Sequence, residues 1–348
     1  MPSKYKSIDS CRGTIQKYAD QLEAGTDEKN PDLRNQKSTT RYLQDLRWYD
    51  HWLDDAGIES PSDVTETQAN EVGLSLSQEF NGTTDLYRWN QIYKFHDWLE
   101  RMNHADSNPF DKWHEDKDEK YGFTKTSEQA RQLRENEHYA VTKEEVRKME
   151  EHVGRHRIRD QLIIRLLWQT GMRRGEAAGL KIDDIDRDEK EITIRIEIAK
   201  QNKKRIVAYQ QSLTGLLKNW LDDGYRAEMA ATADHDYLFV GERGGSLSGS
   251  RINDIVTEAA DEAGINRRIY ADANAPTTED GEKIPNRWLI SAHNIRHGFG
   301  TYMVTETDAG LWEVSKAMGH SSVEITERIY VEADPGAGLD HHHKYGPA

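Results

Sequence analysis

Apolar residues in the first hundred positions recur every three or four residues, which is the spacing of amphipathic helices. Four helices are predicted here: one near the amino terminus, one over about residues 39–56, one opened by a capping box at Thr65–Gln68, and one over about 84–101. The apolar stripe of the fourth contains Leu86, Trp89, Ile92, Tyr93, Phe95, Trp98 and Leu99. Aromatic residues at this spacing favour core packing over a base-stacking surface. Residues 1–115 are therefore predicted to form a helical domain.

A charged segment with almost no aliphatic residues follows this helical part. Such a composition cannot bury much apolar surface, so residues 116–138 are predicted to be a linker. Residues 139–335 then form a second domain, and the Gly-, Pro- and His-containing end, residues 336–348, is predicted to be a flexible tail.

The second domain mixes helical and strand patterns. A capping box at Thr142–Glu145 opens one helix, an apolar helix over about 158–169 stops at Gly171, and further helices are predicted near 175–180, 213–221 and 251–263. Isoleucines at 192, 194, 196 and 198 alternate with polar residues, which predicts a half-buried strand. Residues 200–204 are its turn and 205–209 the returning strand. The expected fold class is mainly α with a small antiparallel β-sheet.

Charge and composition limit the classes of protein. The formal net charge is −15, and residues 1–120 hold 15 Lys and Arg against 24 Asp and Glu, so neither half is basic. Positive charge is confined to short clusters, which still permits a local basic groove. An acidic surface also suits work at high salt, so a halophilic source is a hypothesis. With one cysteine, no signal-peptide pattern and no apolar run long enough for a membrane span, the chain is expected to be cytoplasmic.

The candidate catalytic and binding residues are most concentrated between residues 291 and 330. His293 and Arg296 share one face of a predicted helix, Gly319-His320 ends another, and a Ser321–Glu324 capping box opens a short helix that carries Tyr330. His293 and His297 also have the spacing of a zinc helix. Asn294 stands where a zinc hydrolase needs its glutamate, however, so no metal site is predicted there, nor at the terminal run His341–His343.

Several of these residues have ordinary structural explanations when taken singly. On this explanation, Arg173 is a cation at the carboxyl end of the apolar helix that it follows, and Lys200 is a solvated turn residue. His320 is then a capping residue and Tyr330 a core aromatic.

Their order along the chain, however, resembles the catalytic domain of the tyrosine recombinase (phage integrase) family. Thr170-Gly171-Met172-Arg173-Arg174-Gly175-Glu176, a strand–lysine–strand unit, His293-Asn294-Ile295-Arg296-His297, Gly319-His320 and Tyr330 follow one another over about residues 140–335. The resemblance implies an α+β catalytic domain, preceded by a helical core-binding (SAM-like) domain that binds DNA. It implies the catalytic residues Arg173, Lys200, His293, Arg296, His320 and Tyr330, with Glu176 and His297 in supporting roles.

The implied activity is DNA breaking and rejoining for site-specific recombination or integration, through a 3′-phosphotyrosyl intermediate on Tyr330. Arginine forks suit the phosphate oxygens, and a lysine can protonate the leaving oxygen. No cofactor is expected, because the phosphotyrosyl bond retains the energy needed for rejoining. The implied partner is double-stranded DNA at a specific site, bound by a homotetramer in the synaptic complex. Four basic residues are the candidate DNA contacts: Arg174, Lys203, Lys204 and Arg205.

Two other functions remain open at this point. A type IB topoisomerase uses similar catalytic residues and relaxes any plasmid, whereas a recombinase cleaves selectively and synapses two sites. A DNA-binding protein without catalysis is the second alternative, and the presence of the whole residue set argues against it.

Overall fold

The structure is a computed structural model, and it describes residues 7–24, 36–80, 84–123, 139–199, 203–230, 235–271, 275–278, 280–320, 322, 323 and 326. The predictions for Lys200, Tyr330, the Ser321–Glu324 capping box and the tail lie outside the described residues. The chain folds as two units, residues 1–132 and 133–348.

The first unit is helical. Its helices are α1 (Gly13–Ala24), α2 (Gln36–Asp55), α3 (Glu66–Glu79), α4 (Thr84–Arg101), α5 (Asp111–His114) and α6 (Lys117–Tyr121). Thr65 caps α3 through the capping box that the sequence predicts, since its side chain accepts a hydrogen bond from the backbone N–H of Gln68. The α4 stripe faces the core, with Trp89, Ile92 and Phe95 fully buried. The prediction of core packing for these aromatics is confirmed.

The first core extends further along the chain than the charged composition suggests. Tyr121 and Phe123 lie in the segment that the sequence predicts as a linker, yet both are buried. Their rings pack against Trp89, with centroids 5.2 Å and 5.8 Å away. Gly73 makes room for Tyr121, because a Cβ there would lie 2.6 Å from its Cε1 atom. Two aromatic side chains are therefore enough to bind the start of this charged segment, as far as Phe123, to the core.

The second unit surrounds the apolar helix α8 (Arg157–Thr170). The other helices are α7 (Lys143–Glu151), α9 (Arg174–Gly179), α10 (Gln211–Leu221), α11 (Tyr225–Met229), α12 (Gly249–Glu262), α13 (Ala292–Thr305) and α14 (Leu311–Met318). Helix α8 packs against α7, α10 and α13, and α9 packs against α12. The predicted capping box at Thr142 is confirmed at the start of α7. Helices α8 and α13 lie in direct contact and bring distant parts of the chain together.

A three-stranded antiparallel sheet covers part of this core. It consists of β1 (Ile185–Asp186), β2 (Glu191–Ile194) and β3 (Arg205–Ala208), in the order β1-β2-β3, with Ile194 opposite Arg205. The prediction of a strand through Ile198 was wrong, because a turn begins at Arg195. The Arg195 guanidinium donates to Asp184 at 2.7 Å and to the Gly179 carbonyl at 2.7 Å, which draws the chain out of the strand direction.

The polar stretch before α13 begins and ends in strands. β4 (Arg268–Tyr270) pairs antiparallel with β5 (Arg287–Trp288), and an isolated bridge joins Thr277 to Lys283. The paired strands β4 and β5 therefore bring the two ends of this stretch together just before α13. In the described ranges, no helix combines the length and the apolar character needed to cross a bilayer.

Candidate active site

The turn between α8 and α9, residues 171–173, is the first part of the site. Gly171 ends α8 at a φ of +58°, a conformation that favours glycine. Arg173 then occupies the N-cap position of α9, and its backbone N–H donates to Glu176 Oε2 at 2.8 Å. Its Nη1 donates to Glu176 Oε1 at 3.2 Å, and its Nη2 donates to the Gly319 carbonyl at 2.9 Å. The Arg173 guanidinium is therefore held between α9 and the end of α14.

Glu176 is a buried anion shared by two arginines. Its side chain is 1% exposed, and Arg205 donates to it from Nη1 at 3.0 Å and from Nη2 at 2.7 Å. Burial by itself would raise the pKa of this carboxyl group. The hydrogen bonds and charges of Arg205 and Arg173 outweigh burial and bring its pKa below the ordinary value. Glu176 is therefore ionised at neutral pH and orients both guanidinium groups.

Arg296 approaches the same turn from α13. It is 3% exposed, and its Nη1 donates to the Gly171 carbonyl at 2.5 Å. One helical turn later, the Phe299 ring lies directly against Gly171, where a Cβ would be 2.7 Å from Cε1. Arg296 is thus held at the Gly171 carbonyl, two positions before Arg173, although 123 positions separate the two arginines in the sequence.

The start of α13 sets the position of the two histidines. The Ser291 side chain accepts from the His293 amide, and Asn294 donates to the Tyr139 carbonyl at 3.0 Å. The Nε2 atoms of His293 and His297 are 2.9 Å apart. Because a hydrogen bond between two ring nitrogens needs one donor and one acceptor, His297 fixes the orientation of the exposed His293 ring. Within the described ranges, no three His, Cys, Asp or Glu side chains gather as a metal site would require.

His320 follows Gly319, which ends α14 at a φ of +64°. Its Nδ1 lies 2.8 Å from the Oγ1 atom of Thr326, which is fully buried. Burial lowers the pKa of His320 to about 4, and the positive charges of Arg296, Arg173 and Arg205 act in the same direction. At neutral pH the ring is therefore neutral and has one N–H donor.

The structure thus brings together most of the sequence-predicted site. Arg173, Glu176, Arg296 and His320 are linked by direct contacts or by charge, and His293 contributes to the pKa shift of His320. Lys200 and Tyr330 lie outside the described residues. Of the candidate DNA contacts, Arg174, Lys203 and Lys204 are exposed. Arg205 differs from them, because its side chain is 12% exposed and its three nitrogens donate within the protein.

Sequence analysis missed three contributors to this site. The Gly171 carbonyl accepts a hydrogen bond from Arg296, and the Gly319 carbonyl accepts one from Arg173. Thr326 contacts His320. The glycines carried a signal, because both end apolar helices next to candidate residues. Thr326 carried none, since its contact depends on how the chain turns after His320.

The model of the phage integrase family matches residues 140–336, more than half of the chain. The chain belongs to this family.

Xer recombinases are among the curated relatives of this chain. The chain is 28% identical over 328 residues to tyrosine recombinase XerD of Chlorobaculum tepidum, a match that covers 90% of this chain and 92% of the relative. It is 32% identical over 190 residues to tyrosine recombinase XerC of Corynebacterium glutamicum, which covers 55% of this chain. That match spans only about half, 52%, of the XerC relative.

Solved recombinase structures share the fold. XerH site-specific recombinase bound to a palindromic difH substrate, in a post-cleavage complex, superposes with a TM-score of 0.60 at 20% identity, over 99% of this chain and 90% of that chain. A lambda integrase dimer bound to a COC′ core site gives a TM-score of 0.57 at 13% identity, over 91% and 93%. At this identity the likeness establishes the fold class, mainly α with small antiparallel sheets, as the sequence predicts.

Proposed function

We propose that this protein is a site-specific DNA recombinase that cleaves and rejoins DNA strands through a 3′-phosphotyrosyl intermediate on Tyr330. The observation that carries the proposal is the convergence of two arginines on one site: Arg296 is held at the Gly171 carbonyl, two positions before Arg173, and Arg173 is held at the Gly319 carbonyl, next to the neutral His320. Two guanidinium forks and an imidazole N–H suit the non-bridging oxygens of a phosphodiester. Family membership and the XerD relative over 92% of its length support the same activity.

In the proposed reaction, the Tyr330 hydroxyl oxygen attacks the scissile phosphorus. A P–O bond to the tyrosine forms, the bond to the 5′ oxygen breaks, and the tyrosine proton leaves to a neighbouring base such as His293. Lys200 supplies the proton that the departing 5′ oxygen needs. In rejoining, a 5′ hydroxyl attacks the phosphotyrosyl phosphorus and releases the tyrosine, so the reaction needs neither ATP nor a metal ion.

The arginines stabilise the charge that develops on the phosphate oxygens in the transition state. Glu176 keeps the Arg173 guanidinium in one orientation, and the Gly171 carbonyl does the same for Arg296. His320 donates a hydrogen bond without adding a charge, because its pKa of about 4 leaves it neutral in the free protein. His297 acts by holding His293.

The proposal also assigns a separate role to each of the two units. The helical first unit, whose core includes Phe123, serves as the core-binding domain on DNA, residues 139–335 serve as the catalytic domain, and 336–348 serve as a tail. Double-stranded DNA with a specific site is the partner, and a homotetramer forms the synaptic complex. Since the substrate is cellular DNA, we place this work in the cytoplasm.

Covalent trapping on a nicked duplex tests the activity. The full chain is incubated with candidate-site duplexes that lose their 5′ fragment after cleavage, and protein-linked DNA is measured on a denaturing gel. We expect an adduct with wild type and none with Tyr330→Phe, which should still bind DNA. An adduct in Tyr330→Phe would identify another nucleophile, and relaxation of any plasmid without synapsis would favour a type IB topoisomerase.

A further inference from the structure

Arg205 lies in one element of the second unit and contacts two others. It is the first residue of β3, and two of its nitrogens chelate Glu176 of α9 at 3.0 Å and 2.7 Å. Its Nε donates to the Ala317 carbonyl at 3.1 Å, near the end of α14. The guanidinium also lies against Gly319, where a Cβ would be 2.9 Å from Nη1. One side chain therefore joins β3, α9 and the turn that leads into His320.

The charges in this cluster explain why a second arginine is needed. Arg173 and Glu176 alone form a pair without net charge, and such a pair attracts a phosphate only weakly. Arg205 neutralises the carboxylate as well, so the three residues together have a net charge of +1, which Arg296 raises to +2. The negative charge on a phosphodiester increases in the transition state, and this excess positive charge stabilises it. Without Arg205, the Glu176 carboxylate would be buried with half of its donors missing, which is costly.

We propose that Arg205 is a positioning residue for strand cleavage. It holds Glu176 and the Ala317–Gly319 turn in place, so that Arg173 and His320 face the scissile phosphate in one arrangement. The proposal rests on the proposed function, and it replaces the sequence-based prediction that Arg205 contacts DNA. Arginine is required because three hydrogen bonds in one plane need a guanidinium fork, which the point charge of a lysine cannot reproduce.

Arg205 is also the first residue of β3, the strand that follows Lys200 in the sequence. It pairs with Ile194 across the sheet and lies five positions after Lys200. The same side chain that holds the arginine cluster therefore anchors the strand leading away from the candidate proton donor. Loss of Arg205 should disturb both halves of the reaction, the orientation of Arg173 towards the phosphate oxygens and the delivery of the proton.

Single-turnover trapping of the full chain on a nicked duplex tests this role, with DNA affinity measured at several salt concentrations. We expect Arg205→Ala to form adduct about 10–100-fold more slowly, the effect typical of removing a residue that orients a reacting group. Arg205→Lys should fall between it and wild type. The slope of log affinity against log salt should stay unchanged, whereas loss of a phosphate contact would reduce it by about one.

Arg187→Ala is the matched control, because Arg187 also chelates a carboxylate, at 2.9 Å and 2.7 Å from Asp222, on the exposed surface. It should cleave at the wild-type rate. Adding Glu176→Gln to Arg205→Ala removes the buried charge, so it should recover part of the folding stability lost in Arg205→Ala. If Arg205→Ala does not fold, the cleavage rate and the salt slope of Arg205→Lys test the positioning role.

A titration of His320 by NMR gives a readout that does not depend on activity. In Arg205→Ala the pKa of His320 should rise, because one of the nearby positive charges is gone. Wild-type cleavage rates in both Arg205 variants, or a reduced salt slope, would overturn the positioning role. Failure of wild type to form any adduct would refute the proposed function instead, and an unchanged His320 pKa in Arg205→Ala would then overturn this inference too.

Discussion

Substitution of Gly171 by alanine perturbs the point at which α8 ends and Arg296 is anchored. Gly171 has a φ of +58°, and a Cβ there would lie 2.7 Å from Cε1 and 2.9 Å from Cγ of Phe299. Phe299 is itself 8% exposed and lies on the same helix as Arg296, so its ring has little room to move. The new methyl group therefore meets both an unfavourable backbone conformation and a packed ring.

The two effects have different magnitudes. An L-residue in the left-handed region costs about 1–2 kcal/mol, and forcing a methyl group into a packed core costs about 1–3 kcal/mol. Gly171→Ala should therefore lower the free energy of unfolding by about 2–5 kcal/mol. Against a total of about 5–15 kcal/mol for a typical domain, this is a large loss. It should also slow cleavage, because the Gly171 carbonyl that accepts from Arg296 moves with the backbone.

Gly264→Ala provides the control, since Gly264 has a φ of +66° and no atom within 4 Å of its Cβ position. Urea unfolding of both full-length variants, followed by circular dichroism, separates the two contributions. Gly264→Ala should show the backbone cost alone, and Gly171→Ala should lose about 1–3 kcal/mol more. Adding Phe299→Leu should relieve part of that excess. Equal destabilisation in the two alanine variants would refute the packing explanation.

Four further outcomes are expected at the site and on the surface. His320 has a pKa of about 4 in the folded protein and 6.5 in the unfolded chain, so the free energy of unfolding falls as the pH drops from 6.5 towards 4. His320→Asn should flatten the dependence of this free energy on pH over the same range, and an unchanged dependence would contradict the lowered pKa of His320. Arg296→Ala should reduce the cleavage rate about 10²–10³-fold, as trapping kinetics would measure. Lys200→Ala should regain cleavage on a 5′-thio substrate, which needs no proton, and absence of rescue would assign the acid elsewhere. DNA binding should persist in molar KCl if the acidic surface is an adaptation to salt, and loss of binding there would exclude it.

Local patterns predicted the helical part of the fold well. The boxes at Thr65 and Thr142 cap helices as expected, and the apolar stripes of α4 and α8 are buried. These features depend on residues within a few positions of one another, which a sequence displays directly. The prediction failed where distant residues decide. Ile196 continues a strand pattern but is exposed, because the strand ends at Ile194 and the chain turns at Arg195, whose guanidinium donates to the distant Asp184.

The candidate site shows the same division. The order of Arg173, His293, Arg296 and His320 along the chain sufficed to predict the family, because it resembles the order of the family's motifs, and the expected chemistry followed from that resemblance. Only the tertiary structure could show that two glycine carbonyls anchor the arginines and that Arg205 turns inward to Glu176. A basic residue beside a turn has the same local sequence whether it faces solvent or a buried carboxylate. The choice depends on which acceptor the folded chain places within hydrogen-bonding distance of its guanidinium group, and for Arg205 that acceptor lies 29 positions away.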